Sequence, residues 1–519
     1  MSEERRLRPR RWGPRVWAAL VGFMALCALS ASAAEPAGAD ADAVFEPLDQ
    51  AFAAWAEEHH VPGFVWGVVS QGQLAHVQAW GVQDLQSRRP VTRGTLFRIA
   101  SMTKAFTALT VLSLRDEGRL SLDAAAETYV PELRGWRYPT TDAPRIRVRD
   151  LLNHTAGLVT DDPWGDRQTP LPDADFTALL RQGMAFARAP GLAMEYSNLG
   201  YALLGRIIDN TGGQPYAARI EQRLLGPLAM PSSGFDAARA PAERRAQGYR
   251  WEDGQWRQEA TMGPGAFGAM GGLQTSAEDY ARWIAFLLDA WPARDGEDAG
   301  PVRRATVREM AQGSNFPQLR SARPGGPAGP GAGSCAQAVA YAMGLFAVKD
   351  CELGDMLTHG GGYPGYGSFM VLLPERGVGF FAFANRTYAG PAKPLMDAAL
   401  ALRRAGWLPA PAAVPVSSAL HSAYAAARQI FEAGRVEGQA ASLSMNFLMD
   451  RDAAGWARDL AALKADVGPC DTSPAPEAST ALAGRFSWRC ERGRVSGSML
   501  LEPSLQPRLQ SLRLERARD

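Results

Sequence analysis

Ser101-Met102-Thr103-Lys104 is the only Ser-x-x-Lys in this 519-residue chain. At that spacing a hydroxyl and an amine share one helix face. A helix N-terminus there offers free backbone N–H groups and positive potential to the serine oxygen. Such a hydroxyl can become a nucleophile. Tyr196-Ser197-Asn198 is the only Tyr-x-Asn. A phenol titrates near ~10, and a neighbouring lysine cation is expected to lower that value, so that Tyr196 can take the serine proton. His359-Gly360-Gly361-Gly362 contains the only His-x-Gly. Its glycines let a substrate lie against a strand edge and leave an N–H free for an oxyanion. Taken singly, each tripeptide also reads as ordinary structure: a capped helix, a half-buried tyrosine, a Gly-rich turn. Lys104 is harder to dismiss, because the helix it belongs to is apolar nearly all round and would carry the charge inside.

The elements that must position these residues follow from periodicity. Val44 to Glu58 has apolar residues at helical spacing, and Gly63 to Ser70 with Leu74 to Gly81 reads as a hairpin. Thr95 to Ile99 leads into Ser101, and Met102 to Glu117 is the apolar helix, closed by Gly118. Helical stretches at Tyr196 to Asp209 and Ala277 to Leu288 lie among Gly/Pro loops. Strand character returns at Tyr341 to Val348, Gly367 to Leu373 and Val378 to Ala384, before a helix at Ala392 to Ala405. Strands at both ends and helices between them predict an α+β fold. One antiparallel sheet is built from both ends of the main domain, with flanking helices and an inserted helical lobe. Arg323 to Ser334 reads as a loop.

Leu408 to Pro415 (LPAPAAVP) reads as a linker between a main domain, 35–407, and a small α+β domain, 416–519. That last segment has helical patterning at Ala419 to Glu432 and Asp450 to Ala465. Strands are expected at Gly484 to Cys490, Val495 to Leu501 and Leu509 to Leu514. It carries no chemical motif.

The chain is 46% hydrophobic and 21% charged, which excludes disorder and fibrous classes. Six arginines (5, 6, 8, 10, 11, 15) precede the apolar run Val16 to Leu29 and the small-residue site Ala31-Ser32-Ala33, so residues 1–34 read as a secretory signal peptide. Arg10-Arg11 leaves twin-arginine export open, and the residues before Cys27 do not suit lipidation. Removing the leader's net +4 from the chain's +1 leaves a body near −3, unsuited to nucleic acid as the main partner. No further segment is long and apolar enough to span a membrane. A periplasmic or secreted protein is expected. Four cysteines then remain, and sequence proximity favours Cys335 with Cys351 and Cys470 with Cys490 among three possible pairings. No CxxC or HExxH occurs, so no metal or cofactor is expected.

The three motifs in the order SxxK, YxN, HxG resemble the serine β-lactamase and penicillin-binding protein superfamily, most closely its class C β-lactamase-like esterases, D-aminopeptidases and D,D-carboxypeptidases. Leu151 to Leu158 (LLNHTAGL) and Gly271-Gly272-Leu273 before Thr275 to Asp279 look similar too, and the resemblance spans about residues 44 to 405. It implies Ser101 as acylated nucleophile, Lys104 as proton acceptor and field source, and Tyr196 as general base that later activates water. Asn198 would hold Lys104 and the substrate amide, with His359 and Gly361 binding substrate and the N–H groups of Ser101 and Gly362 forming the oxyanion hole. Lys104 and Tyr196 are expected to titrate as a coupled pair. His154 is implied to be structural.

Where true β-lactamases carry Lys in the third motif, this chain has His359, and a neutral imidazole binds a carboxylate less well than a permanent cation. Esters or small amides are therefore expected as substrates over β-lactams. A catalytically idle penicillin-recognising scaffold and an acyltransferase using the same acyl-enzyme are the alternatives. Trp136, Trp164, Trp251, Trp256, Phe267, Tyr363 and Tyr366 are candidates for an acyl pocket. Oligomeric state is left open.

Overall fold

The structure is a computed structural model that describes residues 41–160, 162–315, 318–320 and 335–517. The expected signal peptide, Cys27 and the loop Arg323 to Ser334 lie outside the described residues.

An eight-stranded antiparallel sheet organises the main part of the chain. Its strands are β1 (Gly63–Ser70), β2 (Gln73–Gly81), β3 (Gln318–Arg320), β4 (Gln337–Tyr341), β5 (Phe346–Asp350), β6 (Gly354–Tyr363), β7 (Tyr366–Leu373) and β8 (Val378–Ala384). Their spatial order is β2-β1-β8-β7-β6-β5-β4-β3, so the N-terminal hairpin docks onto strands from the far end of the domain. The helical part of the chain, residues 82–160 and 162–315, is inserted between the two halves. Helices α1 (Ala41–Glu58), α2 (Thr103–Asp116), α3 (Asn198–Gly212), α4 (Ala277–Leu288) and α5 (Ala392–Arg404) complete this frame.

Period-two alternation divides the apolar residues between the two sheet faces. Phe381 and Phe383 of β8 enter the core that holds Phe106 of α2 and Trp283 of α4, while Phe380, Ala382 and Ala384 enter the one that holds Phe52 of α1 and Leu395 of α5. Covered on both sides, β8 is apolar throughout and buried at every position. Helix α2 is buried from Thr103 to Leu112, and its buried threonines find partners, Thr107 donating to the Ala269 carbonyl at 2.6 Å and Thr103 accepting from the Leu273 N–H at 3.1 Å.

The strand Gly354–Tyr363 is not among those expected, and of the boundaries that differ from expectation two have a clear physical cause. The run Tyr341 to Val348 is not one strand: residues 342–345 turn between β4 and β5. Gly344 takes φ +81° there, and a Cβ on it would come within 2.7 Å of the Lys104 carbonyl oxygen. Close approach to α2 forces the break that the apolar pattern hides. Helix α3 starts at Asn198, not Tyr196, because the Ser197 hydroxyl caps it by accepting from the Gly200 N–H at 3.2 Å.

The C-terminal segment has helices α6 (Ser418–Ala433) and α7 (Ala453–Val467) against a five-stranded sheet with its own apolar core around Trp488, Phe431 and Leu460. Disulfides join Cys335 to Cys351 and Cys470 to Cys490. Among the described residues, no helix is long and apolar enough to cross a membrane.

Candidate active site

Ser101 stands in a tight turn, residues 100–102, between the short strand Phe97–Arg98 and α2. Ala100 takes φ +48°, a conformation an L-residue rarely adopts, which sharpens the change of direction. Ala100 and Met102 are buried, while Ser101 is half-buried. The sheet holds this turn from the other side. Ser368 of β7 donates its hydroxyl proton to the Ile99 carbonyl at 2.8 Å. A Cβ on Gly361 of β6 would fall 2.2 Å from Ser368 Oγ and 2.3 Å from the Ile99 oxygen, so only glycine lets strand and turn meet this closely. Strand β5 pairs with β6 only as far as Thr358. Residues His359 to Tyr363 therefore pair on one side only, with β7, and Gly362 lies on this open stretch.

Lys104 comes one turn after Ser101 and is fully buried. Its Nζ donates to Ser101 Oγ at 3.1 Å, to Asn198 Oδ1 at 2.9 Å and to the Met270 carbonyl at 2.9 Å. Burial pulls the ammonium down to about 7, against an opposing pull from the Asp162 and Asp166 carboxylates. In its neutral form the amine has two N–H groups and one lone pair. Asn198 Oδ1 and the Met270 carbonyl can only accept, so the lone pair is left to face Ser101.

Tyr196 closes the group from the helical lobe. The Nζ of Lys104 lies over its ring at 4.9 Å. The expectation that Lys104 lowers the phenol is not met. Burial raises Tyr196 well above its ordinary value, and a hydrogen bond with Ser101 offsets only part of this. His154 sets the position of the tyrosine. Its carbonyl accepts from the Glu195 N–H at 2.7 Å and its Nδ1 from the Ser197 N–H at 3.1 Å, gripping the chain on either side of Tyr196.

His359 is close by but turned inward, only 2% exposed. Its Nε2 lies 3.1 Å from the Tyr341 hydroxyl and its Nδ1 2.7 Å from the Gly360 carbonyl. The carbonyl can only accept, so Nδ1 carries the proton and Nε2 accepts from Tyr341. Burial, aided by Lys104, pushes the imidazole down to about 3. It is a neutral ring occupied by protein groups on both sides.

The structure thus gathers Ser101, Lys104, Tyr196 and Asn198, with His359, Gly361 and Gly362 on the adjoining strand. Most of the aromatic candidates lie elsewhere. Trp251 and Trp256 meet edge-to-face on a separate hairpin with His60 stacked on Trp251, Trp136 is buried with its indole N–H on the Leu180 carbonyl, and Phe267 is in the core. Tyr363 bonds Thr169 at 2.6 Å, and Tyr366 donates to the Ala246 carbonyl at 2.8 Å. Sequence reasoning missed the Met270 carbonyl, Tyr341 and Asp162. A main-chain acceptor has no residue-type signature, and neither Tyr341 nor Asp162 belongs to a motif of recognisable spacing. It also missed Tyr388, whose hydroxyl donates to Asp166 and whose ring covers Gly362, where a Cβ would lie 2.7 Å from Tyr388 Cδ1.

The Beta-lactamase family profile matches residues 42–405. The chain belongs to the beta-lactamase family. Esterase EstB of Burkholderia gladioli is 34% identical over 228 residues, covering 42% of this chain and 57% of EstB. Protein flp of Staphylococcus aureus (strain COL) is 29% identical over 336 residues, 63% of this chain and 60% of flp, so the chain spans about three-fifths of the length of that relative. Among solved structures, a class C beta-lactamase superposes with a TM-score of 0.56 at 20% identity, over 72% of this chain and 98% of its own. That likeness shows the same fold. Family and fold are thus those of the beta-lactamase family, and the two disulfides fit an exported protein.

Proposed function

We propose that this beta-lactamase family member hydrolyses esters or small amides through an acyl-enzyme on Ser101. One observation carries the reading: Lys104 Nζ bonds two obligate acceptors and has Ser101 Oγ as its third neighbour. As Oγ attacks the substrate carbonyl, its proton passes to the neutral Lys104 amine. The oxyanion is received by the N–H groups of Ser101 and Gly362. The bond to the leaving group then breaks, and the Tyr196 O–H gives that group its proton and is refilled from the Lys104 ammonium. Water attacks the acyl carbonyl, its proton returns along the same pair, and Ser101 is released. Asn198 orients Lys104 and the substrate amide. Tyr196 thus works as a proton relay in neutral form, with Lys104 as the base.

Two features support ester or amide over β-lactam. His359 is neutral and its nitrogens are engaged within the protein, so the third motif offers no cation to a β-lactam carboxylate. The esterase name of the Burkholderia relative points the same way. In this reading residues 1–34 are an export signal, 35–407 the catalytic domain, 408–415 a linker, and 416–519 a module outside the chemistry. The test is turnover of a chromogenic short-chain ester against a chromogenic cephalosporin. An ester kcat/KM about tenfold or more above that for the cephalosporin is expected; a preference for the cephalosporin overturns the substrate assignment.

A further inference from the structure

The first turn of α3 supplies Asn198, and a buried carboxylate holds it. Asp162 is 2% exposed and accepts three backbone N–H groups: Trp164 at 3.1 Å and Gly165 at 2.8 Å on Oδ1, and Leu199 at 3.2 Å on Oδ2. Among the described residues no arginine or lysine bonds it. Leu199 follows Asn198 directly. Gly165 lies so near the Asn198 amide that a Cβ there would come within 2.9 Å of its Nδ2. One carboxylate therefore ties the turn 162–165 to the helix start, and that turn backs the amide whose oxygen faces Lys104.

We propose that Asp162 is a positioning residue for the Lys104–Asn198 pair, fastening the turn that supports the Asn198 amide and giving Lys104 a fixed negative charge to which it is not bonded. The inference deepens the proposed function and rests on Lys104 being the proton acceptor. The other titratable groups around Lys104 are Asp166, Tyr196, Tyr201, His154 and His359. Tyr196 and Tyr201 stay protonated, and the two imidazoles are held neutral by burial. The carboxylates are then the charges that favour the ammonium, Asp162 first and Asp166 second. Removing the Asp162 charge lowers the proton affinity of Lys104.

The experiment is the pH dependence of kcat/KM, and of Ser101 labelling by a fluorophosphonate, for the full chain and for Asp162→Asn, with Asp162→Ser as a second variant that keeps an acceptor for the N–H groups. The acid limb is expected to move to lower pH by about half a unit or more. The plateau should fall about tenfold or more, because Asn198 loses its support. A lower plateau with an unmoved limb makes Asp162 merely structural and overturns the proposal. If the unaltered protein has no limb near neutrality, the reading of Lys104 as acceptor fails first and takes this one with it.

Discussion

The Nζ of Lys104 lies over the face of the Tyr196 ring, 4.9 Å from its centroid, while its hydrogen bonds go to Ser101, Asn198 and Met270. A cation above a ring is attracted to the π-face. Burial meanwhile acts on both groups in the direction of neutrality, pulling the ammonium down and pushing the phenol up. Near pH 7 the phenol is neutral and about half of the amine is neutral, and the neutral form is the one from which an amine can deprotonate a serine.

Acylation should accordingly rise with pH through an apparent pKa of about 7, the value to which Lys104 is pulled. The sign follows from the required form: below that value the amine holds a proton and cannot accept another. Stopped-flow acylation between pH 5 and 9 measures it. Lys104→Ala should lower the rate by about 10²–10⁴-fold and abolish the limb.

Tyr196→Phe removes one oxygen and keeps the ring, whose neighbours are His154 at 4.3 Å and Lys104. Turnover should fall by about 10²–10⁴-fold with a melting temperature close to that of the unaltered protein. Unchanged turnover would remove Tyr196 from the mechanism.

Gly361→Ala places a methyl group onto Ser368 Oγ and the Ile99 carbonyl. Both belong to the contact that sets the Ser101 turn against the sheet. The cost should be about 1–3 kcal/mol, read as a lower urea midpoint, with a loss of activity larger than the loss of folded protein.

His154 and His359 are both buried as neutral rings, below their ordinary values. The unfolded chain binds protons at these residues near pH 6.5 and the folded one only at lower pH, so stability falls as pH drops below ~6.5. Each histidine contributes a slope of up to about 1.4 kcal/mol per pH unit. For His359 that window extends down to about 3. Urea unfolding at pH 7, 6 and 5 tests it, and His359→Gln should reduce the slope by up to about 1.4 kcal/mol per pH unit.

The candidate site was legible where its grouping depends on residue type. Ser101, Lys104, Tyr196 and Asn198 announce themselves by spacing, and the helix around Lys104, apolar nearly all round, already put an amine in the interior. The sheet from two chain ends was legible too, since β1 and β8 are apolar strand patterns of unmistakable length. What could not be read was protonation. The expected lowering of Tyr196 counted the charge of Lys104 and left out desolvation, which depends on how completely the lobe, the turn and the sheet cover the pair. The inward orientation of His359 was likewise invisible, because Tyr341 reaches it only through tertiary packing. The break at Gly344 is set by the nearness of α2, a contact with no local pattern.

The most direct measurement is intact-protein and peptide mass spectrometry after incubation with a fluorophosphonate. One covalent adduct per chain is expected, located on Ser101 and absent in Ser101→Ala. An unlabelled Ser101 in folded protein, or an adduct on another residue that survives Ser101→Ala, would contradict it.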